Sequence, residues 1–318
     1  MQLSEVKDLA DRIRGEVTKA VVGQNETVDL MLTALFCGGH VLLEGPPGTA
    51  KTLLAQSLAA SLALEFGRIQ FTPDLMPGDI IGTNLFNFQT STFTTIRGPV
   101  FCELLLADEI NRTPPKTQAA LLEAMQERKV TLDGKTQRLG ELFMVVATQN
   151  PIEQQGTYPL PEAQLDRFLF KHVLAYPDET QERAIVRAMG TSVRMPDPDG
   201  LGIMTTADRQ TLAAAIASVS EIRVSDEIVD YIVAIVRESR VSADVSHGAS
   251  PRSAANLAAA SRAFAALQGR DYVVPDDVKA LALPALRHRL VLSPAAEIDG
   301  KRVDDVVRAV IERVGAPR

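Results

Sequence analysis

The sequence predicts an α/β fold, with a five-stranded parallel sheet covered by helices and a small all-α part after it. Three observations predict this. Short apolar runs alternate with longer helical patterns from residue 1 to about 175. The stretch GPPGTAKT lies directly between one such run and a helix-forming segment. Beyond residue 200 only helical periodicity remains. With 318 residues, 46% of them hydrophobic, the chain can fill two unequal domains.

In chain order, MQLSEVKDLADRIRGEV mixes acids and bases from residue 5 onward. That is helix chemistry and not the basic-then-apolar layout of an export signal, so a cytoplasmic location is expected. The strands are expected at HVLLE (40–44), RIQF (68–71), CELLLAD (102–108), LFMVVAT (142–148) and FLFKHV (168–173). Several are nearly continuous in apolar character, as doubly buried strands are. In ERKVTLDGKTQRL (127–139) the segments VTL and TQRL flank Asp133-Gly134, a two-residue turn signal that makes this a hairpin. GTSVRMPDPDG (190–200) carries glycine and proline breakers and reads as a linker between domains at 1–189 and 201–318. Helices follow at 206–219, 225–240, 251–268, 275–289 and 301–314, with Ser225, Ser250 and a Pro at 251 or 275 marking starts.

Composition excludes several classes. LAAAIASVS and IVDYIVAIV are far shorter than the roughly 20 apolar residues of a membrane span. A net charge of -7 argues against a general nucleic-acid binder, which would show a basic surplus. Cys37 and Cys102 lie in apolar segments and read as buried, reduced thiols. His40, His172, His247 and His288 are far apart and lack ligand spacing, so no transition metal is expected.

GPPGTAKT, Gly45 to Thr52, departs from the phosphate-cradling pattern at Ala50, where glycine is usual. The strand before it and TLLAQSLAASL after it still give the strand, loop, helix setting of an anion nest. Gly45 and Gly48 supply the positive φ or close backbone approach that a nest needs. Ala50 is read as the start of the helix, where alanine is well tolerated. Pro46, Pro47 and Thr49 complete the loop. Amides from Gly48 to Thr52 would face a β-phosphate with the helix dipole behind them, Lys51 would reach the β and γ oxygens, and Thr52 would ligate Mg²⁺.

LLLADEI (104–110) ends an apolar strand in two acids. Alone, such a pair suits any helix N-terminus. After a phosphate loop, it assigns Asp108 to a metal-bound water and Glu109 to the water that attacks the γ-phosphate. MVVATQNP ends in Thr148, Gln149 and Asn150; Asn150 is either a turn residue or a hydrogen-bond partner of γ-phosphate and lytic water. Arg167, in PEAQLDRF, is either a surface ion-pair residue or a finger that speeds phosphoryl transfer by ~10³–10⁵ from a neighbouring subunit. GASPRS puts Pro251 at a helix start and Arg252 one residue in, either solvated or turned back toward the nucleotide.

With these motifs in order, the sequence resembles an AAA+ ATPase, most closely one of the MoxR family. The likeness runs through VVGQNETVDLML, GPPGTAKT, LLLADEINRTPPKTQAALLEAMQE, VTLDGK, VVATQNP, YPLPEAQLDRF and GASPRS. It implies a P-loop AAA+ core with a helical lid domain. It carries over Lys51 and Thr52 as Walker A, Asp108 and Glu109 as Walker B, Asn150 as sensor 1, Arg167 as the arginine finger and Arg252 as sensor 2. By the same likeness Val22 and Gly23 lie near adenine, and Ala50 fits the MoxR form of the loop. Residues 71–100 become an insertion interrupting the second helix, facing a ring pore together with the 127–139 hairpin. The resemblance further implies ATP or ADP with Mg²⁺ as ligands, a hexameric homo-oligomer, a chaperone-like role in maturing a protein client, with metal or cofactor insertion as one form, and a partner carrying a von Willebrand A domain.

On that reading ATP sits between subunits, touched by Lys51, Asn150 and Arg252 from one side and Arg167 from the other; hydrolysis removes those contacts and the lid moves. Two other classes compete. A DNA-translocating motor resembling MCM or RuvB would use Arg128, Lys129, Lys135 and Arg138 of the hairpin, but Glu127 and Asp133 dilute that charge and no aromatic side chain is interleaved for base stacking. A nonhydrolytic nucleotide-gated scaffold is disfavoured by the presence of both Asp108 and Glu109.

Overall fold

The computed structural model describes residues 1–89, 91–151, 156–190, 198 and 200–317. Helices α1 (Leu3–Ala20) and α2 (Asn25–Phe36) precede β1 (Val41–Glu44), α3 (Lys51–Ser61) and β2 (Phe66–Gln70). Next come α4 (Pro77–Ile81), β3 (Gly82–Asn87), β4 (Thr92–Arg97), β5 (Leu104–Asp108), α5 (Pro115–Glu127), β6 (Lys129–Leu132) and β7 (Lys135–Arg138). The sheet is completed by β8 (Met144–Gln149), α6 (Glu162–Leu165), β9 (Phe170–Val173) and α7 (Glu179–Met189). The remainder holds α8 (Arg209–Val219), α9 (Asp226–Val241), β10 (Val245–His247), α10 (Pro251–Leu267), α11 (Pro275–Leu286), β11 (Val291–Leu292), α12 (Pro294–Ile298) and α13 (Val303–Arg313).

The five expected strands form one parallel sheet in the order β2-β5-β8-β1-β9. Their side chains alternate between two buried faces. Leu42, Leu105, Ala107, Val145 and Ala147 pack with Leu121, Leu122 and Met125 of α5, whereas Val41, Leu43, Leu104, Leu106, Met144 and Val146 pack with α1, α2 and α3. A period of two with both faces dry is why the central strands β1, β5 and β8 read as nearly unbroken apolar runs. It also gathers the carboxyl ends of β1, β5 and β8 along one sheet edge.

The helical part rests on the N-terminal helices: Leu257 and Ala260 of α10 share one apolar cluster with Val6 and Leu9 of α1 and Leu32 of α2. Ser225 and Ser250 cap α9 and α10, and Pro251 and Pro275 open α10 and α11, because a first-turn proline gives up no helical hydrogen bond. Helices α8, α11 and α13 are each a few residues shorter than their periodic patterns. Most of the expected linker at 190–200, residues 191–197 and 199, lies outside the described residues. After α11 the chain returns to the sheet: His288 Nε2 meets the Phe168 carbonyl at 3.0 Å, and Arg289 donates to Asp166 Oδ1 at 2.7 Å and to the Phe168 carbonyl at 2.8 Å.

Both special segments are hairpins. Asp133 and Gly134 have φ of 45° and 78°, the left-handed pair that an Asp-Gly turn supplies between β6 and β7. The expectation of a helix interrupted by residues 71–100 needs correction. Only the short α4 precedes β3, and no helix resumes between β4 and β5. Asn84 Nδ2 ties this hairpin to the other by donating to Asp133 Oδ2 at 2.8 Å. Arg128 also differs from expectation: its guanidinium donates to the carbonyls of Gly38 and Glu141, at the base of the hairpin.

Both thiols are pushed up to about 12 by burial and stay protonated. Among the described residues no helix is long and apolar enough to cross a membrane.

His40 stands before β1 and locks two other elements to it. Its Nε2–H donates to the Met125 carbonyl at 3.2 Å, and its Nδ1 accepts from the Val145 amide at 3.0 Å. Protonating Nδ1 would set two N–H groups against each other, and burial holds the ring's pKa down at about 4. Because the folded value lies below the unfolded one, this stabilisation is complete above about pH 6.5 and is lost as pH falls toward 4, on the order of 3 kcal/mol in all. Thermal midpoints measured from pH 7 to 4 should therefore fall more steeply for the natural protein than for His40→Gln.

Candidate functional site

The loop after β1 turns tightly. A Cβ on Gly45 would sit 3.0 Å from both the Leu174 carbonyl oxygen and its Cβ, and Gly48 has φ of 84° with open space where a side chain would be. Ala50, however, is not the helical residue expected. It caps α3 in the left-handed region, with φ of 60° and ψ of 22°. Alanine tolerates that conformation at a cost that glycine avoids, so the departure from the usual loop pattern lies on a strained residue. Lys51 opens α3 and curls back, its Nζ donating to the carbonyls of Gly45 and Pro46 at 2.8 Å each. Burial lowers its pKa, against the opposing pull of Asp108 and Glu109. Thr49 is buried and donates to the Pro46 carbonyl at 2.9 Å.

Register brings the acids to this loop. β5 lies beside β8, and Thr148 Oγ1 donates to Asp108 Oδ1 at 2.7 Å while accepting from the Glu109 amide at 2.9 Å. Asp108 Oδ2 lies 3.4 Å from Thr52 Oγ1 and 2.8 Å from an Arg68 guanidinium nitrogen. Glu109 adopts φ of 58°, the left-handed region, and its Oε2 accepts from Gln70 Nε2 at 2.9 Å and pairs with Arg112 Nε at 3.0 Å. A non-glycine residue held there stores strain where a side chain has to be aimed.

Around these groups lies a cavity of about 420 Å³, lined by Pro47 to Leu53, Asp108, Glu109 and Thr148 to Asn150. Val22, Pro177 and Ile185 give it an apolar wall. Its size and its polar floor with an apolar side suit a nucleotide. Of the residues expected near adenine, Val22 lines the cavity, whereas Gly23 packs against Gln181. The donors suit a divalent cation: the Thr52 hydroxyl and the Asp108 carboxylate are adjacent hard oxygens, and the same Asp108 oxygen already attracts a guanidinium.

Arg252 is not among the residues lining this cavity. It lines a second one of about 180 Å³ with Arg167, Arg128, Gln126 and Asn256, and among the described residues no carboxylate lines that cavity. Arg167 donates to the Ala163 carbonyl at 2.9 Å, and its Nε is buried without a hydrogen-bond partner among the described residues. In this structure the two arginines line one cavity and Lys51 lines the other.

Sequence reasoning missed Arg68, Gln70 and Arg112, and gave Thr148 no role. Arg68 and Gln70 are alternate residues on β2, so both project from one face, and Gln70 is in register with Asp108. Two polar side chains two apart at the end of a strand were the available signal.

A parallel sheet of this strand order, with a phosphate-type loop after β1 and paired acids after β5, is the core of an AAA ATPase. Residues 40–170 match the ATPase family associated with various cellular activities (AAA), and residues 237–310 match the AAA lid domain. The Chaperone MoxR1 of Mycobacterium tuberculosis is 45% identical, over 95% of this chain and 81% of that protein. Protein MoxR of Methylorubrum extorquens is 34% identical, over 99% and 97%. A crystal structure from Cytophaga hutchinsonii superimposes with a TM-score of 0.90 at 37% identity, covering 99% of this chain and 97% of that one. The chain belongs to the MoxR family of AAA+ ATPases.

If Ala50 carries backbone strain, Ala50→Gly should raise unfolding stability by about 1 kcal/mol in a denaturant titration. A loss of stability would show that the alanine side chain holds the loop in place.

Proposed function

We propose that the protein binds ATP in the larger cavity and hydrolyses it. The observation that carries this reading is the meeting of three elements at Asp108: Thr52 of the loop helix 3.4 Å from its carboxylate, Thr148 of β8 at 2.7 Å, and Glu109 next in the chain. Amides at the start of α3 face the phosphate tail with the helix dipole behind them. Lys51 exchanges the Gly45 and Pro46 carbonyls for phosphate oxygens, which its flexible stem permits. Asn150 and Glu109 position the attacking water, with Glu109 taking its proton. Thr52 and Asp108 are the residues that would hold Mg²⁺, whose charge would offset that of the phosphates.

The pairing of Arg167 and Arg252 away from Lys51 supports a ring in which both arginines reach the nucleotide of an adjoining copy. Three arginines, with no carboxylate among the described lining residues, make that cavity attractive to an anion. On this reading residues 1–189 form the nucleotide-binding domain and 201–318 the lid, in keeping with the lid match at 237–310. The chaperone name of the Mycobacterium tuberculosis relative favours a protein client. A von Willebrand A partner, a hexameric ring and a cytoplasmic setting complete the proposal. A DNA motor is disfavoured at the hairpin, since two of its four basic residues are engaged: Arg128 is bound to carbonyls at its base and Lys129 pairs with Glu127.

Glu109→Gln should hold a fluorescent ATP analogue with near-normal affinity while turnover falls about 10²-fold or more. Lys51→Ala should lose both; unchanged affinity in that variant would contradict the loop assignment. Arg167→Ala and Lys51→Ala should each be inactive alone and regain turnover when mixed, because the second variant lends its Arg167 to the first. The same complementation is expected with Arg252→Ala, and its failure would place Arg252 on its own subunit's nucleotide.

A further inference from the structure

We propose that Arg68 is the resident counter-cation of Asp108 and that it must give up this carboxylate when a divalent metal arrives, so that Arg68 sets how much magnesium the site requires. The inference rests on the nucleotide reading above and concerns a residue outside its motifs.

Asp108 exposes only 8% of its surface, and a carboxylate so placed needs a compensating charge. Its two oxygens are used differently. Oδ1 accepts from Thr148 and so faces the sheet. Oδ2 is the oxygen near Thr52, the side on which a metal shared by the two residues would bind. Arg68 sits on that same Oδ2 at 2.8 Å. Lys51 makes its nearest bonds to the Gly45 and Pro46 carbonyls, leaving Arg68, among the described residues, as the cation in contact with the acid.

Arg68 is also able to leave. It projects from β2, the edge strand of the sheet, and its side chain is 46% exposed, against 12% for that of Asp108. Its other polar contact is a 3.1 Å hydrogen bond to Gln70 Oε1. Swinging into water costs a half-exposed guanidinium little, because solvent replaces both bonds. A metal competing for Oδ2 therefore meets a weak but real competitor, and the competition appears as a shift in the magnesium concentration needed.

The test is a magnesium titration of the full chain holding a fixed concentration of a fluorescent ATP analogue, read as fluorescence and starting from EDTA. In Arg68→Gln the half-saturating magnesium concentration should fall about three- to tenfold, while Arg68→Lys stays near the natural value. In EDTA without nucleotide, Arg68→Gln should melt slightly lower, because Asp108 has lost its partner. An unchanged or raised magnesium requirement in Arg68→Gln overturns the proposal, the raised value meaning that Arg68 itself holds phosphate. If the natural protein shows no magnesium-dependent binding at all, the nucleotide reading fails first and this inference falls with it.

Discussion

Asp108 is a carboxylate at the end of a doubly buried strand, and the surrounding architecture makes that placement tenable. Parallel pairing of β5 with β8 brings the Thr148 hydroxyl to one oxygen, and β2 on the other side brings Arg68 to the second. The loop helix α3 then starts beside it, with Thr52 at 3.4 Å. Without the parallel register these groups would belong to unrelated parts of the chain, since Asp108 is 56 residues from Thr52 and 40 from both Thr148 and Arg68.

Local chemistry made much of this readable in advance. Unbroken apolar runs marked the sheet strands because both faces of the sheet are dry, and Asp133-Gly134 marked a hairpin because only such a pair accepts two left-handed residues at little cost. The loop and the paired acids were legible for the same reason: their roles follow from neighbours in the chain. What stayed hidden depends on distant parts. Ala50 looked like an ordinary first helical residue, yet the turn into α3 puts it at φ of 60°. Arg68 and Gln70 acquire meaning only through the register of β2 with β5. The position of Arg252 depends on how the helical part packs on the sheet, which no spacing within GASPRS encodes.

The division of charged groups between two cavities follows from that packing. α10 is seated against α1 and α2 through Leu257 and Ala260, and its first turn does not line the cavity at the α3 loop. Arg252 is delivered instead to the edge where Arg167 ends the segment after α6. The chain therefore presents an oxygen-rich, metal-suited cavity and, separately, an arginine cluster with no carboxylate in its lining among the described residues.

The bonds from His288 and Arg289 to residues 166–168 make a latch between the end of α11 and the stretch that bears Arg167. Arg289 is 9% exposed and His288 6%, so water offers these groups little alternative to the bonds they hold. A twist of the helical part that leaves the latch intact drags the Arg167 stretch along, like a pawl fixed to its lever. Any shift in that stretch would carry Arg167 and the cavity it lines along with the helical part.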